Sequence, residues 1–184
     1  MDNAAYLLDV IRGFRNYKAL GDEAMAQVPS DADFDRMLDA DSNSIAVIVQ
    51  HIAGNLRSRY RDFLTSDGEK PDRDRDREFE THVPATREGV LRIWNEGWAA
   101  VMSALEALQA SDLERTIRIR GEAFLVVEAL NRSVTHTAYH VGQIVFLARH
   151  FASPNWRSLS IPKGKSAEYF SKGDFKSRQG RPSL

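Results

Sequence analysis

The sequence predicts an all-α protein: a four-helix bundle with a long crossover connection, a short extended piece before the fourth helix and an irregular C-terminal tail. Three observations carry that expectation. Four stretches of roughly 23 to 28 residues repeat apolar side chains at the three- and four-residue steps of a helix. Between them no strand-like run of comparable length occurs. Each stretch has one apolar face, and helices of that kind bury their faces by packing together. The chain of 184 residues, 42% of them hydrophobic, is long enough to form a core without staples and reads as a single domain.

In the first stretch, about 2 to 28, Ala5, Leu8, Ile11, Phe14 and Ala19 mark the apolar face, and the pattern stops before Pro29. The Asp- and Ser-rich segment SDADFDRMLDADSNS follows, in which Ser42 or Asn43 is placed to cap the second helix. That helix, about 43 to 65, buries Ile45, Ile48, Ile52, Leu56, Tyr60 and Phe63. The segment EKPDRDRDREFETHVP alternates Asp and Arg with little to bury, so it reads as a solvated loop. From Thr86 the rhythm resumes through Val90, Ile93 or Trp94, Gly97 or Trp98, Val101, Leu105 and Leu108, a third helix closing near Ser111. The Trp94 and Trp98 pair reads as core. Thr116 to Arg120 alternates before Gly121 and is expected to be extended. The fourth helix covers about 124 to 151. In the tail, Trp156 and Ile161 are the expected anchors of a loosely packed segment, with the last ten or so residues mobile. The long connections point away from a simple up-down-up-down series.

Composition excludes several functions. The chain has no Cys, which removes disulfides, thiolate metal sites and a Cys nucleophile. With 25 Lys and Arg against 26 Asp and Glu, the net charge of -1 provides no basic field for nucleic acid or an anionic membrane. Its apolar runs fall far short of the roughly 18 residues of a membrane span. The N-terminus carries Asp2 and Asp9 where a signal peptide needs positive charge and an unbroken apolar stretch. A soluble, cytoplasmic protein is the expectation.

The histidines carry the only constellation with chemical content. His136 and His140, in THTAYH, are four residues apart, which on a helix places both rings within about 40° of one another, one turn apart. Both fall on the arc that holds Val126, Ile144, Leu147 and Phe151, and therefore point inward. Buried imidazoles without partners cost roughly 2 kcal/mol or more each, and a cation satisfies two at once. The bland alternative is a pair of separately satisfied polar residues. His51, beside Ile48 and Ile52 on the second helix, tips the balance: three neutral imidazoles from two helices form a set suited to Zn, Ni or Fe with a position left open. Thr137 stands where HExxH would place its catalytic Glu, so peptide hydrolysis by that mechanism is disfavoured. His82 reads as solvated, and His150 as a complement to the helix C-terminus. Ligating rings usually donate their second N–H to an outer partner, and helical spacing offers Asn55 and Gln143.

The segments IAVIVQHIAGNLRSRY and HTAYHVGQIVFLARH, together an upstream HxxGN and a downstream HxxxHxGQI, resemble the DinB-like superfamily of bacterial metal-binding four-helix bundles. WRSLSIPKGKS and FLTSDGEKPDRDRD are similar to a branch of it known only as a domain of unknown function. The resemblance implies a bundle with a long crossover, a divalent metal on His51, His136 and His140, and frequent homodimers. Some superfamily members are thiol S-transferases or isomerases.

The leading functional expectation is a metal-dependent enzyme that activates a low-molecular-weight thiol for S-transfer to a small electrophile, with no nucleic-acid or membrane partner. Two alternatives stand beside it. One is a hydrolase using metal-bound water, and the other a non-enzymatic metal-binding stress or interaction protein. No general acid or base is assigned.

Overall fold

The structure is a computed structural model that describes residues 2–80 and 85–171. The last ten residues of the tail and the solvated placement of His82 lie outside the described residues. Its helices are α1 (Asn3–Met25), α2 (Ala32–Asp35), α3 (Ile45–Tyr60), α4 (Arg87–Ala107), α5 (Val126–Ala152) and α6 (Ser166–Ser171). Single 3-10 turns occupy Arg77–Phe79 and Ala110–Glu114, and β1 (Thr116–Ile119) pairs with β2 (Glu122–Leu125).

The four long helices are the four expected; side-chain caps start α1, α3 and α4, whereas at α5 Glu128 accepts from the amide of Leu125. Asp2 accepts hydrogen bonds from the amides of Ala4 and Ala5, Ser44 from Val47 and Thr86 from Gly89. Ser44, not Ser42 or Asn43, caps α3. Ser42 is committed elsewhere, since its Oγ accepts from the amides of Leu38 and Asp39 and closes the preceding turn. The same helix stops at Tyr60, earlier than its apolar pattern suggests. Asp62 takes a φ of 49°, and its carbonyl accepts from the amides of Thr65 and Ser66 in a separate turn.

Helix α3 packs against α4 and α5, and α1 packs against the same two. Consequently α1 and α3, successive long helices, stand at opposite corners of the bundle, as do α4 and α5. The connections 26–44 and 108–125 make these diagonal crossings. Phe14, Trp94 and Trp98 are fully buried and meet edge to face, and Trp94 Nε1 donates to Asp22 Oδ1 at 2.7 Å. Helices α3 and α4 approach so closely that a Cβ on Gly97 would lie 2.6 Å from Ala53 Cα.

Beyond the bundle, the structure adds to three expectations. The extended piece is half of a hairpin, in which Arg120 and Gly121 form a two-residue turn with φ values of 58° and 78°. Strand β2 escaped notice because Glu122–Leu125 buries nothing fully and shows no alternation. The tail is held more firmly than expected: Arg157 exchanges two hydrogen bonds with the Gln27 side chain, Trp156 packs on the core and Leu159 is buried, whereas Ile161 is only half-buried. Finally, the Asp/Arg segment is exposed over most of its described length, as expected, but parts of it turn inward. Lys70 and Glu78 are buried, and the Arg73 side chain is 4% exposed. Asp67 ties the segment to the hairpin by accepting from the amides of Arg120 and Gly121, both at 2.8 Å. Among the described residues, no helix is long and apolar enough to cross a membrane.

Candidate metal centre

His51 faces α5 from the buried side of α3, and His136 and His140 meet it from successive turns of α5. The ring centroids lie 5.2 Å apart for His51 and His136, 4.8 Å for His51 and His140, and 4.6 Å for His136 and His140. One ring nitrogen from each residue falls within 4.8 Å of the other two. The closest approach is Nε2 of His51 to Nε2 of His136, 3.2 Å. Two nitrogens on a tetrahedral ion at about 2.05 Å would stand about 3.3 Å apart, nearly the same spacing.

Outer partners orient the rings. Nδ1 of His51 donates to Glu78 Oε2 at 2.9 Å, which leaves the Nε2 lone pair directed at the other two rings. Nδ1 of His140 donates to Gln143 Oε1 at 2.8 Å with the same effect. Phe79 covers His51 at a centroid distance of 4.8 Å. Burial, reinforced by its two neighbouring imidazoles, pushes the pKa of His136 down to about 3. Burial also lowers that of His140, although the Gln143 hydrogen bond works in the opposite direction. The rings of His136 and His140 are therefore neutral near pH 7, the form that ligates.

Glu78 is anchored in turn. Burial disfavours its charge, but hydrogen bonds from Arg73 and His51 outweigh that and hold the carboxyl below its ordinary pKa. Arg73 donates through Nε and Nη2 at 2.8 and 2.9 Å, a bidentate pair. Space for the carboxylate comes from Gly54, where a Cβ would lie 2.2 Å from Glu78 Oε1.

Among the sequence candidates, His51, His136, His140 and Gln143 thus come together at one point. Asn55 lines the adjoining cavity, while the Nδ1 partner of His51 is Glu78. His150 lies exposed at the far end of α5 against Phe151. Sequence reasoning missed Glu78, Arg73 and Phe79, which sit inside a charge-alternating segment that looks like plain solvated chain. The usable signal was Gly54: a glycine three residues after a candidate ligand, inside an apolar helix, reserves space for something beside that ligand.

The donor chemistry fits a divalent cation. Three imidazoles, two fixed in orientation by hydrogen bonds, suit zinc, nickel or iron, and a cavity of about 270 Å³ adjoins them. Fold and site together define a helical bundle with a three-histidine candidate metal centre between two of its helices. The chain belongs to the family described as Protein of unknown function (DUF1572), whose profile matches residues 2–165. No curated protein and no solved structure matches the chain.

Proposed function

We propose that His51, His136 and His140 hold one divalent cation, zinc, nickel or iron, and that the protein is a DinB-like metal-dependent enzyme. In this reading it activates a low-molecular-weight thiol for S-transfer to a small electrophile. The observation that carries it is the orientation of His51 and His140 by Glu78 and Gln143, which presents an intact three-nitrogen set beside a cavity. A merely structural histidine cluster needs neither the buried Glu78–Arg73 pair nor the adjoining space. When bound, the cation supplies Lewis acidity that favours the deprotonated form of a thiol entering the open side. With no Cys in the chain, the sulfur comes from that small molecule.

The protein's own residues supply the rest. Glu78 keeps the proton on Nδ1 of His51, Gln143 does so for His140, and Phe79 shields the His51 ring from water. Hydrolysis through metal-bound water is less well supported, because among the described residues no carboxylate lines the cavity to act as general base. Metal analysis of protein purified without a polyhistidine tag tests the first part, with about one equivalent expected in the parent and essentially none after changing all three histidines to Ala. The second part is tested by titrating cobalt-loaded protein with small thiols. Absence of a thiolate charge-transfer band with every thiol tried rejects the thiol step and leaves only the cation site.

A further inference from the structure

The cavity beside the histidines has a charge character unlike that of the chain as a whole. Among the described residues five arginines line it, at positions 59, 73, 75, 120 and 132, and no Asp or Glu does, although the chain carries one more acidic than basic residue. It runs between α3 and α5. His51, Asn55 and Arg59 succeed one another at four-residue steps on α3, so Arg59 stands about 12 Å from His51 along the helix axis. On α5 the opposite wall continues from His140 through His136 to Ser133, and the hairpin residues Ile117 and Ile119 close that end.

At this remote end, donors are left unspent. Arg59 Nη1 pairs with Glu69 Oε2 at 3.1 Å in a geometry poor for a hydrogen bond, and no other acceptor among the described residues meets it. Glu69 is shared among Arg59, Arg73 and Arg120, so one carboxylate faces three guanidinium groups. The hydroxyls of Tyr60 and Ser133, residues 3% and 8% exposed, interact with each other and have no further hydrogen-bond partner among the described residues. Burial raises the pKa of Tyr60, which keeps it a donor. Buried donors without acceptors cost free energy, and an anion would satisfy several together.

We propose that the end of the cavity remote from the histidines is a carboxylate-binding subsite built on Arg59, Tyr60 and Ser133, selecting a small ligand with its reactive group at one end and a carboxylate at the other. The identity of the reactive end rests on the function proposed above; the carboxylate end does not. A small cavity walled partly by Phe63, Ile117 and Ile119 suits an aliphatic or aromatic acid better than a nucleotide.

Two measurements on the full chain separate the claims. In the first, metal-free protein is melted with and without hexanoate. Hexanoate raises the Tm of the parent, more than hexanol does, and leaves Arg59→Gln unmoved, while Tyr60→Phe and Ser133→Ala show reduced shifts. In the second, cobalt-loaded protein is titrated with mercaptohexanoate and mercaptohexanol. The acid binds roughly tenfold tighter in the parent, as a charge-assisted hydrogen bond predicts, and the preference disappears in Arg59→Gln with mercaptohexanol binding unchanged. Equal effects of acid and alcohol on the parent overturn the subsite, whatever the cation does. Stabilisation by hexyl phosphate but not by hexanoate overturns the carboxylate assignment. If neither thiol perturbs the cobalt spectrum, the thiol reading fails and the metal-free melts alone decide the subsite. Should Arg59→Gln not fold, the melts and titrations of Tyr60→Phe and Ser133→Ala decide it.

Discussion

Glu78 accepts a hydrogen bond from Nδ1 of His51 at 2.9 Å, joining the charged segment between α3 and α4 to the interior of the bundle. The contact turns an acidic residue of apparently ordinary surface sequence into the group that orients a candidate ligand. Replacing it with Gln keeps the volume but removes the charge. Glu78→Gln is expected to weaken divalent-metal affinity by roughly 10-fold or more, measured by chelator competition. Glu78→Ala should in addition destabilise the fold by about 3 kcal/mol in urea, because it strips the largely buried Arg73 of its bidentate partner. Unchanged affinity in both variants would remove Glu78 from the site.

Gly54 provides an independent test of the same contact. A methyl group there would occupy the position of Glu78 Oε1, 2.2 Å away, and the flexible carboxylate is the group that yields. Gly54→Ala therefore lowers metal affinity to a degree similar to Glu78→Gln while the protein stays folded, since Ala favours helix by about 1 kcal/mol over Gly. A tight-binding Gly54→Ala protein would contradict the geometry.

Two other helical glycines should move stability in opposite directions. At Gly97 the added carbon meets Ala53 backbone at 2.6 Å, so helices α3 and α4 must separate. Gly97→Ala is expected to cost about 1–3 kcal/mol by overpacking. Gly142, on α5, has nothing within 4 Å of an added Cβ, and Gly142→Ala should gain about 0.5–1 kcal/mol. Denaturant midpoints measured side by side would settle both signs.

Acid should destabilise the metal-free protein earlier than carboxylate protonation alone would. His136 has a pKa of about 3 when folded against 6.5 when free, so below pH 6.5 the unfolded chain binds more protons than the folded one. The stability contributed by this ring is complete above pH 6.5 and is lost as pH falls toward about 3. Glu78, whose folded pKa is lowered from 4.5, acts with the same sign at the acid end. Urea denaturation of metal-free protein between pH 7 and 4 should show a declining midpoint, with a shallower decline in His136→Gln. Parallel curves for the two proteins would remove His136 as the cause.

Much of this molecule is legible in local pattern. The apolar rhythm of Ile45, Ile48, Ile52 and Leu56 specifies a helix and its buried face whatever it packs on, because 3.6-residue periodicity is a property of the chain alone. The four-residue spacing of His136 and His140 likewise places two rings on one face before any tertiary contact is known. Helix ends are less legible, as Ser44 and Asp62 illustrate, because several nearby Ser and Asp residues compete for the same capping and turn hydrogen bonds.

The order of residues along the chain was enough to determine the four long helices, their inward faces and the presence of histidines on two of them. Only the folded arrangement decided that His51 meets His136 at 3.2 Å, that Glu78 and Arg73 leave water to support it, and that five arginines among the described residues gather along the adjoining cavity. The reason is physical. Periodicity records how a segment divides its faces between core and solvent, whereas an ion pair between residues remote from the core pattern depends on where a connecting segment is pulled, here by Asp67 on the hairpin turn and by the space left at Gly54.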